Sequence, residues 1–136
     1  MSIKMRSART WLDLTSSGPA YGIAVTTLPL FDLVYAAPET TLTTPFSRIG
    51  ISLEGCSSVT FPPLFGPSMT TRLLYLAETV PMSELMYSGL FAGILPAEGM
   101  PEAVIAKVEK YLEDLAPGSI SEWTTSFQAA RQSAVN

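Results

Sequence analysis

The sequence runs to 136 residues, which suits one domain with a single core. Apolar residues make up 47% and charged residues only 15%, against ~25% charged in an ordinary soluble domain, so either much of the surface is buried against other subunits or the chain is part of something larger. The net charge is −4, with one cysteine and no histidine, which excludes a disulfide framework, a histidine-dependent nucleophile and the common zinc sites, and leaves carboxylates, hydroxyls and backbone amides for any chemistry.

Disorder does not fit high apolar content with low charge. Lys4, Arg6 and Arg9 make a weakly basic start, but Asp13 and the short length speak against a transit peptide. No basic patch interleaved with aromatics occurs, so nucleic acid is not an expected partner. No apolar run reaches the ~18 residues of a membrane span.

Along the chain, Trp11, Leu12 and Leu14 suggest a short buried strand or turn, and residues 15–19 form a turn cluster. Residues 20–31 are almost wholly apolar, and Gly18-Pro19-Ala20-Tyr21-Gly22 leads tightly into a buried helix. Pro29 kinks or ends that helix, because it lacks the amide hydrogen. Residues 33–36 read as a short buried strand, Pro38-Glu39 as a turn, and Thr41-Leu42-Thr43 as a second strand, since β-branched residues favour it. Residues 45–53 read as a loop or broken turn, and Phe61-Pro62-Pro63 breaks any helix there.

Residues 67–79 are a helix candidate with Leu73, Leu74 and Ala77 on its apolar face. Residues 82–88 form another, ended by Gly89 at the C-terminal cap. Residues 90–95 are buried and extended. The spacing predicts a helix over 101–115: Pro101 suits the first position, and Val104, Ile105, Val108, Tyr111, Leu112 and Leu115 make one stripe. Gly118 stops it, and residues 120–130 form a last helix with Trp123 and Phe127 one turn apart. Strands early and helices late place the chain in the α/β or α+β class.

Three features could carry chemistry. Between Asp32 and Arg72 only Glu39, Arg48 and Glu54 are charged, and Glu39 sits in a turn. Glu54 lies in Ile51-Ser52-Leu53-Glu54-Gly55-Cys56. A carboxylate in apolar surroundings resists ionisation, which brings it closer to the range where it takes and returns a proton. It could equally be a helix N-terminal carboxylate stabilised by the dipole. The glycines of Gly18-Pro19-Ala20-Tyr21-Gly22-Ile23 allow close backbone approach to a ligand, and the unpaired first amides of a helix can stabilise an oxyanion. A buried structural turn fits the same residues. Cys56 has no neighbouring base and reads as a small buried residue rather than a reactive thiol.

Taken in order, several segments agree. They are Gly18-Pro19-Ala20-Tyr21-Gly22-Ile23-Ala24-Val25-Thr26-Thr27-Leu28, Phe31-Asp32-Leu33-Val34-Tyr35-Ala36, Thr44-Pro45-Phe46-Ser47, Ile49-Gly50, Glu54-Gly55-Cys56-Ser57-Ser58, Phe61-Pro62, and Ser88-Gly89-Leu90 with Ile94-Leu95-Pro96. Over about residues 17–116 the chain resembles the Δ3,Δ2-enoyl-CoA isomerases of the crotonase superfamily. The resemblance implies an α/β fold, a partial crotonase-like ββα spiral with C-terminal helices and without its N-terminal turns. It divides the chain into a non-matching segment 1–16, a core 17–118 and a helical segment 119–136.

The resemblance also implies roles. Glu54 is the acid/base. The backbone N–H of Ile23, after Gly22, is one of two oxyanion-hole amides. Thr26, Phe46 and Phe61 line the substrate. The thioester carbonyl of a 3-enoyl-CoA is polarised, and Glu54 moves a proton from C2 to C4. No metal or redox cofactor is needed, the CoA thioester being the substrate. The partners implied are an acyl-CoA thioester and further copies of the chain, as a trimer or hexamer. The implied compartment is the peroxisome, although Ser133-Ala134-Val135-Asn136 is not a Ser-Lys-Leu type address.

Hydratases of the same superfamily are the alternative enzyme. They use two carboxylates, and their first falls on Thr26, which is no carboxylate base. Departures from the family pattern are Ser17 where asparagine is usual and Pro29 where glycine is usual. In the family the second oxyanion amide and much of the CoA pocket precede Gly18, so weak or absent activity is expected of this chain alone. A non-catalytic fragment with an interaction role is therefore the other reading. Any apolar surface left open is expected to be covered by self-association.

Overall fold

A computed structural model describes residues 18–31 and 33–115. The readings at Asp13, Trp11, Leu12, Leu14, residues 15–17, Gly118 and residues 120–130 lie outside the described residues.

Two small sheets organise the chain. Strand β1 (Pro19–Tyr21) pairs in parallel with β3 (Thr41–Thr43), with Ala20 opposite Leu42. The expected β-branched strand is thus present at its expected bounds. β3 pairs in turn, antiparallel, with β4 (Val80–Pro81), giving the order β1-β3-β4. The second sheet joins β2 (Tyr35–Ala36) in parallel to β5 (Gly93–Ile94). Parallel pairing requires long crossovers. Between β1 and β3 the crossover consists of helix α1 (Ile23–Thr26), a 3₁₀ turn at Leu28–Leu30 and β2. The result is a mixed α/β arrangement.

The apolar run 20–31 does not form one buried helix. It is divided among β1, a single turn of α1 and the 3₁₀ turn, and Tyr21, Ile23 and Leu30 are exposed. Pro29 ends the helical path as its missing amide requires, sitting inside the 3₁₀ turn. Residues 46–49 close into α2 (Phe46–Ile49), stopped by left-handed Gly50.

Helix α3 (Ser57–Thr70) corrects a second expectation, because it runs through Pro62 and Pro63. Prolines there release the carbonyls of Ser58 and Val59 from helix bonding. All four of these residues are exposed, so water can satisfy the freed groups. The break comes instead at Gly66, whose φ of 73° and ψ of 168° are non-helical. Pro67 restarts the helix in the position proline tolerates best. Beyond it, Thr71–Tyr75 widens into a π turn closed by Leu76 N–H donating to Thr71 C=O at 2.9 Å. The carbonyl of Leu73 in that turn accepts the hydroxyl of buried Thr44.

Helix α4 (Met82–Leu85) is shorter than expected and Gly89 does not cap it. Ser88 does this work, its N–H and its hydroxyl both donating to Leu85 C=O at 2.9 and 2.7 Å. Helix α5 (Met100–Glu113) matches the expected helix, with Pro101 in its first turn. Its stripe is only partly buried: Val104 and Val108 face inward, while Ile105, Tyr111 and Leu115 are exposed.

The main core gathers Val25, Leu28, Leu42, Phe61, Leu73 and Leu85 among others. A second cluster lies under α5 and contains Tyr35, Ala37, Met100, Val104 and Val108. Tyr35 joins β2 to that helix. Burial, and then its hydrogen bond and proximity to the Tyr111 hydroxyl, raise its phenol above the usual range.

Candidate functional site

The first component is the N-terminal end of α1. Gly22 holds φ 59° and ψ −124°, a region open essentially to glycine alone. Its N–H donates to Thr43 C=O at 2.9 Å, which ties the turn to β3. The amides of Val25 and Thr26 both return to Gly22 C=O, at 3.0 and 3.1 Å. The amides of Ile23 and Ala24 therefore stand at the helix end with no acceptor inside the helix. Ile23 is 51% exposed.

The second component is the turn that starts α3. Ser57 N–H donates to Glu54 C=O at 3.2 Å. Both residues between them are left-handed, Gly55 at φ 62° and Cys56 at φ 58°, the sign pattern of a type I′ turn. The Glu54 side chain is exposed, so the described residues do not supply the apolar enclosure that the sequence suggests for it. Cys56 is also exposed rather than buried. Ser57 is buried, and its hydroxyl has no hydrogen-bond partner among the described residues.

Thr26 joins the two components. A Cβ placed on Gly55 would stand 2.5 Å from Thr26 Oγ1 and 2.9 Å from Thr26 Cβ. Thr26 fills that space from a wholly buried position, its hydroxyl donating to Ile23 C=O at 3.3 Å. Helix α1 and the turn with the carboxylate are thus in direct contact. Of the residues named from the sequence, Gly22, Ile23 and Thr26 share the end of α1, and Glu54 stands next to Gly55 in the turn that Thr26 touches. Phe46 and Phe61, at 2% and 0% exposure, are packed inside the core instead of opening on its surface. Phe61 sits edge-on to Phe65 with ring centroids 5.0 Å apart. Gly55 is the contributor that residue-by-residue reading missed. A glycine following the lone carboxylate was the available signal, but only its packing partner reveals its purpose.

Charge elsewhere is concentrated on Arg72, which pairs with Glu78 at 2.7 Å and with Glu84. The guanidinium holds the Glu84 carboxyl below the usual carboxylate range, chiefly through its hydrogen bond. Among the described residues no group of three metal-ligating side chains occurs, and no helix is long and apolar enough to cross a membrane.

No family model matches the chain. It is 38% identical over 104 residues to enoyl-CoA delta isomerase 2 of Homo sapiens, a match covering 76% of this chain and 26% of that protein. It is 35% identical over 95 residues to the peroxisomal enoyl-CoA delta isomerase 3 of Mus musculus, covering 70% and 30% respectively. Among solved structures, a Magnetospirillum magneticum protein described as an enoyl-CoA hydratase/carnithine racemase superposes with a TM-score of 0.63 at 31% identity. That match covers 88% of this chain and 52% of the other. The chain therefore spans about a quarter to a third of the curated relatives' length and about half of the solved one's.

Proposed function

The chain belongs to the crotonase superfamily of enoyl-CoA hydratases and isomerases, and from that premise we propose that it serves the isomerisation of a 3-enoyl-CoA to its 2-enoyl isomer. The thioester carbonyl oxygen accepts a hydrogen bond from the Ile23 amide, which Gly22 leaves free at the end of α1. Such a donor stabilises the oxyanion that develops when a proton leaves C2. Glu54 takes that proton and returns it to C4, so the double bond moves into conjugation and the carboxylate is regenerated. Thr26, Phe46 and Phe61 are buried behind the site and support it from the core, without lining the acyl chain.

The observation that carries this reading is the contact of Thr26 with Gly55, which sets the turn of Glu54 against the amide-bearing helix. Thr26 also favours isomerase over hydratase, because a second carboxylate for activating water does not stand there. The test is conversion of a 3-enoyl-CoA to the conjugated 2-enoyl thioester by purified protein. Glu54→Gln should lower the rate by about 10²–10⁴-fold, the usual worth of a positioned acid/base. Equal turnover by both proteins would remove Glu54 from the mechanism.

The second reading, a non-catalytic interaction piece, draws on the exposure of Glu54 and of large apolar side chains such as Tyr21, Ile49, Tyr75, Leu76, Ile105 and Tyr111. The same apolar exposure supports a homo-oligomer, trimeric or hexameric, and light scattering on the eluting protein tests it: a stable monomer sinks the assembly. The mouse relative's name supports a peroxisomal location, which subcellular fractionation would overturn by finding the chain elsewhere.

A further inference from the structure

We propose that Thr26 is a positioning residue: it fixes the Glu54–Ser57 turn against α1, and so sets where the carboxylate of Glu54 stands relative to the Ile23 amide. The inference rests on the reading of Glu54 as acid/base, and it concerns a residue that touches neither proton nor oxyanion. Three observations carry it. The turn has little stiffness of its own, since one backbone hydrogen bond, Ser57 N–H to Glu54 C=O at 3.2 Å, closes it. Its two central residues hold left-handed conformations, one of them a non-glycine, that need support from outside. That support is the side chain of Thr26, which occupies the volume a Cβ on Gly55 would take.

Thr26 is itself held at its other end. It is completely buried, sits in the single turn of α1, and its amide and hydroxyl donate to Gly22 C=O and Ile23 C=O. Any displacement of Thr26 is therefore shared by both halves of the site. The pair acts as a spacer: glycine on one side because nothing larger fits, and a β-branched residue on the other because its χ1 is stiff.

Cys56, the only cysteine in the chain, reports on this turn without any need for catalysis. Four proteins are compared: wild type, Thr26→Gly, Gly55→Ala and the Thr26→Gly/Gly55→Ala double variant. Two readouts are the rate of Cys56 modification by a maleimide and the kcat and KM for a 3-enoyl-CoA. Thermal melts confirm that each protein folds. Thr26→Gly should speed thiol modification several-fold and lower kcat by about 10–100-fold, as expected for a reacting group displaced by up to an ångström, with KM little changed. Gly55→Ala should shift both readouts as well, and the double variant should move part of the way back towards wild type, because the side-chain clash has gone while the strain of an alanine at φ 62° remains.

A modification rate and a kcat that do not respond to Thr26→Gly would overturn the proposal, as would a double variant no better than Gly55→Ala. If Gly55→Ala fails to fold, recovery of folding in the double variant supports the spacer, and otherwise Thr26→Gly alone decides it: a thiol rate and kcat equal to wild type overturn it. Failure of the isomerase reading looks different: turnover is absent or insensitive to Glu54→Gln, while the thiol readout still decides the role of Thr26.

Discussion

Thr26 occupies the space that any side chain at Gly55 would need, with Thr26 Oγ1 2.5 Å from that Cβ position. This contact joins a helix end to a turn far along the chain. It sets two backbone features side by side, the glycine-led N-terminal end of α1 and a left-handed turn carrying a carboxylate. Each of those features depends on local geometry that single substitutions can reach.

Gly22→Ala isolates backbone strain. A Cβ at Gly22 would meet nothing within 4 Å, so there is no clash to relieve. The cost comes from φ 59° and ψ −124°, and is expected to be about 1–3 kcal/mol. Urea unfolding measures it. A variant as stable as wild type would mean that the turn relaxes freely, and that Gly22 is not what orients the Ile23 amide.

Phe61→Ala tests the core behind the site. The ring is fully buried and packed on Phe65, so its removal should cost about 3–5 kcal/mol. Chemical denaturation gives the number. A loss under ~1 kcal/mol would show that the surrounding side chains collapse into the gap and that α3 is loosely seated.

Alkaline pH should weaken the fold through Tyr35. Burial, and then Tyr111, raise its folded pKa above the unfolded value of ~10. The group binds its proton more tightly when folded, so its contribution is complete below the unfolded pKa and is lost as pH rises through the folded one. Tyr111→Phe removes the hydroxyl contribution but leaves the burial, so the tyrosinate absorbance of Tyr35 should appear at lower pH than in wild type. An unchanged titration would separate Tyr35 from Tyr111.

Acid pH acts through Glu84 with the opposite sign. Its folded pKa is depressed by Arg72, so its contribution is present above the unfolded value of ~4.3 and is lost as pH falls through the folded pKa. Both partners are exposed enough for salt to screen them. Side-chain carboxyl NMR should find Glu84 titrating below an ordinary glutamate, and Arg72→Gln should return it to the ordinary range. A titration that ignores Arg72→Gln would show that the pair is not held in solution.

Much of the fold was legible where the cause is local. Thr41-Leu42-Thr43 reads as a strand because β-branching favours it, and Pro29 and Pro101 act through the missing amide hydrogen whatever surrounds them. The prolines at 62 and 63 obeyed the same chemistry, yet the helix continued, because their faces and freed carbonyls meet solvent. That depends on which side of α3 faces the core, and no single residue states it. The π turn at Thr71–Tyr75 was likewise invisible, since the acceptor it exposes is satisfied by Thr44 from another element. For the site, ordered resemblance supplied Glu54, Gly22 and Ile23. Gly55 and the exposure of Cys56 were hidden because they follow from left-handed backbone and from a neighbour distant in sequence.

The pairing of β2 with β5 bears on how the chain is made. Tyr35 and Ala36 find their partners only at Gly93 and Ile94, and the Tyr35 ring lies 3.2 Å from where a Cβ on Gly93 would be. During synthesis the first strand of this sheet emerges long before the second, and closing so wide a loop carries an entropic cost before any contact repays it. The β1–β3 half, with Gly22 and Thr26, can settle early. Tyr35 remains without its sheet partner until Gly93 has left the ribosome, and without its helix partners Met100, Val104 and Val108 until later still.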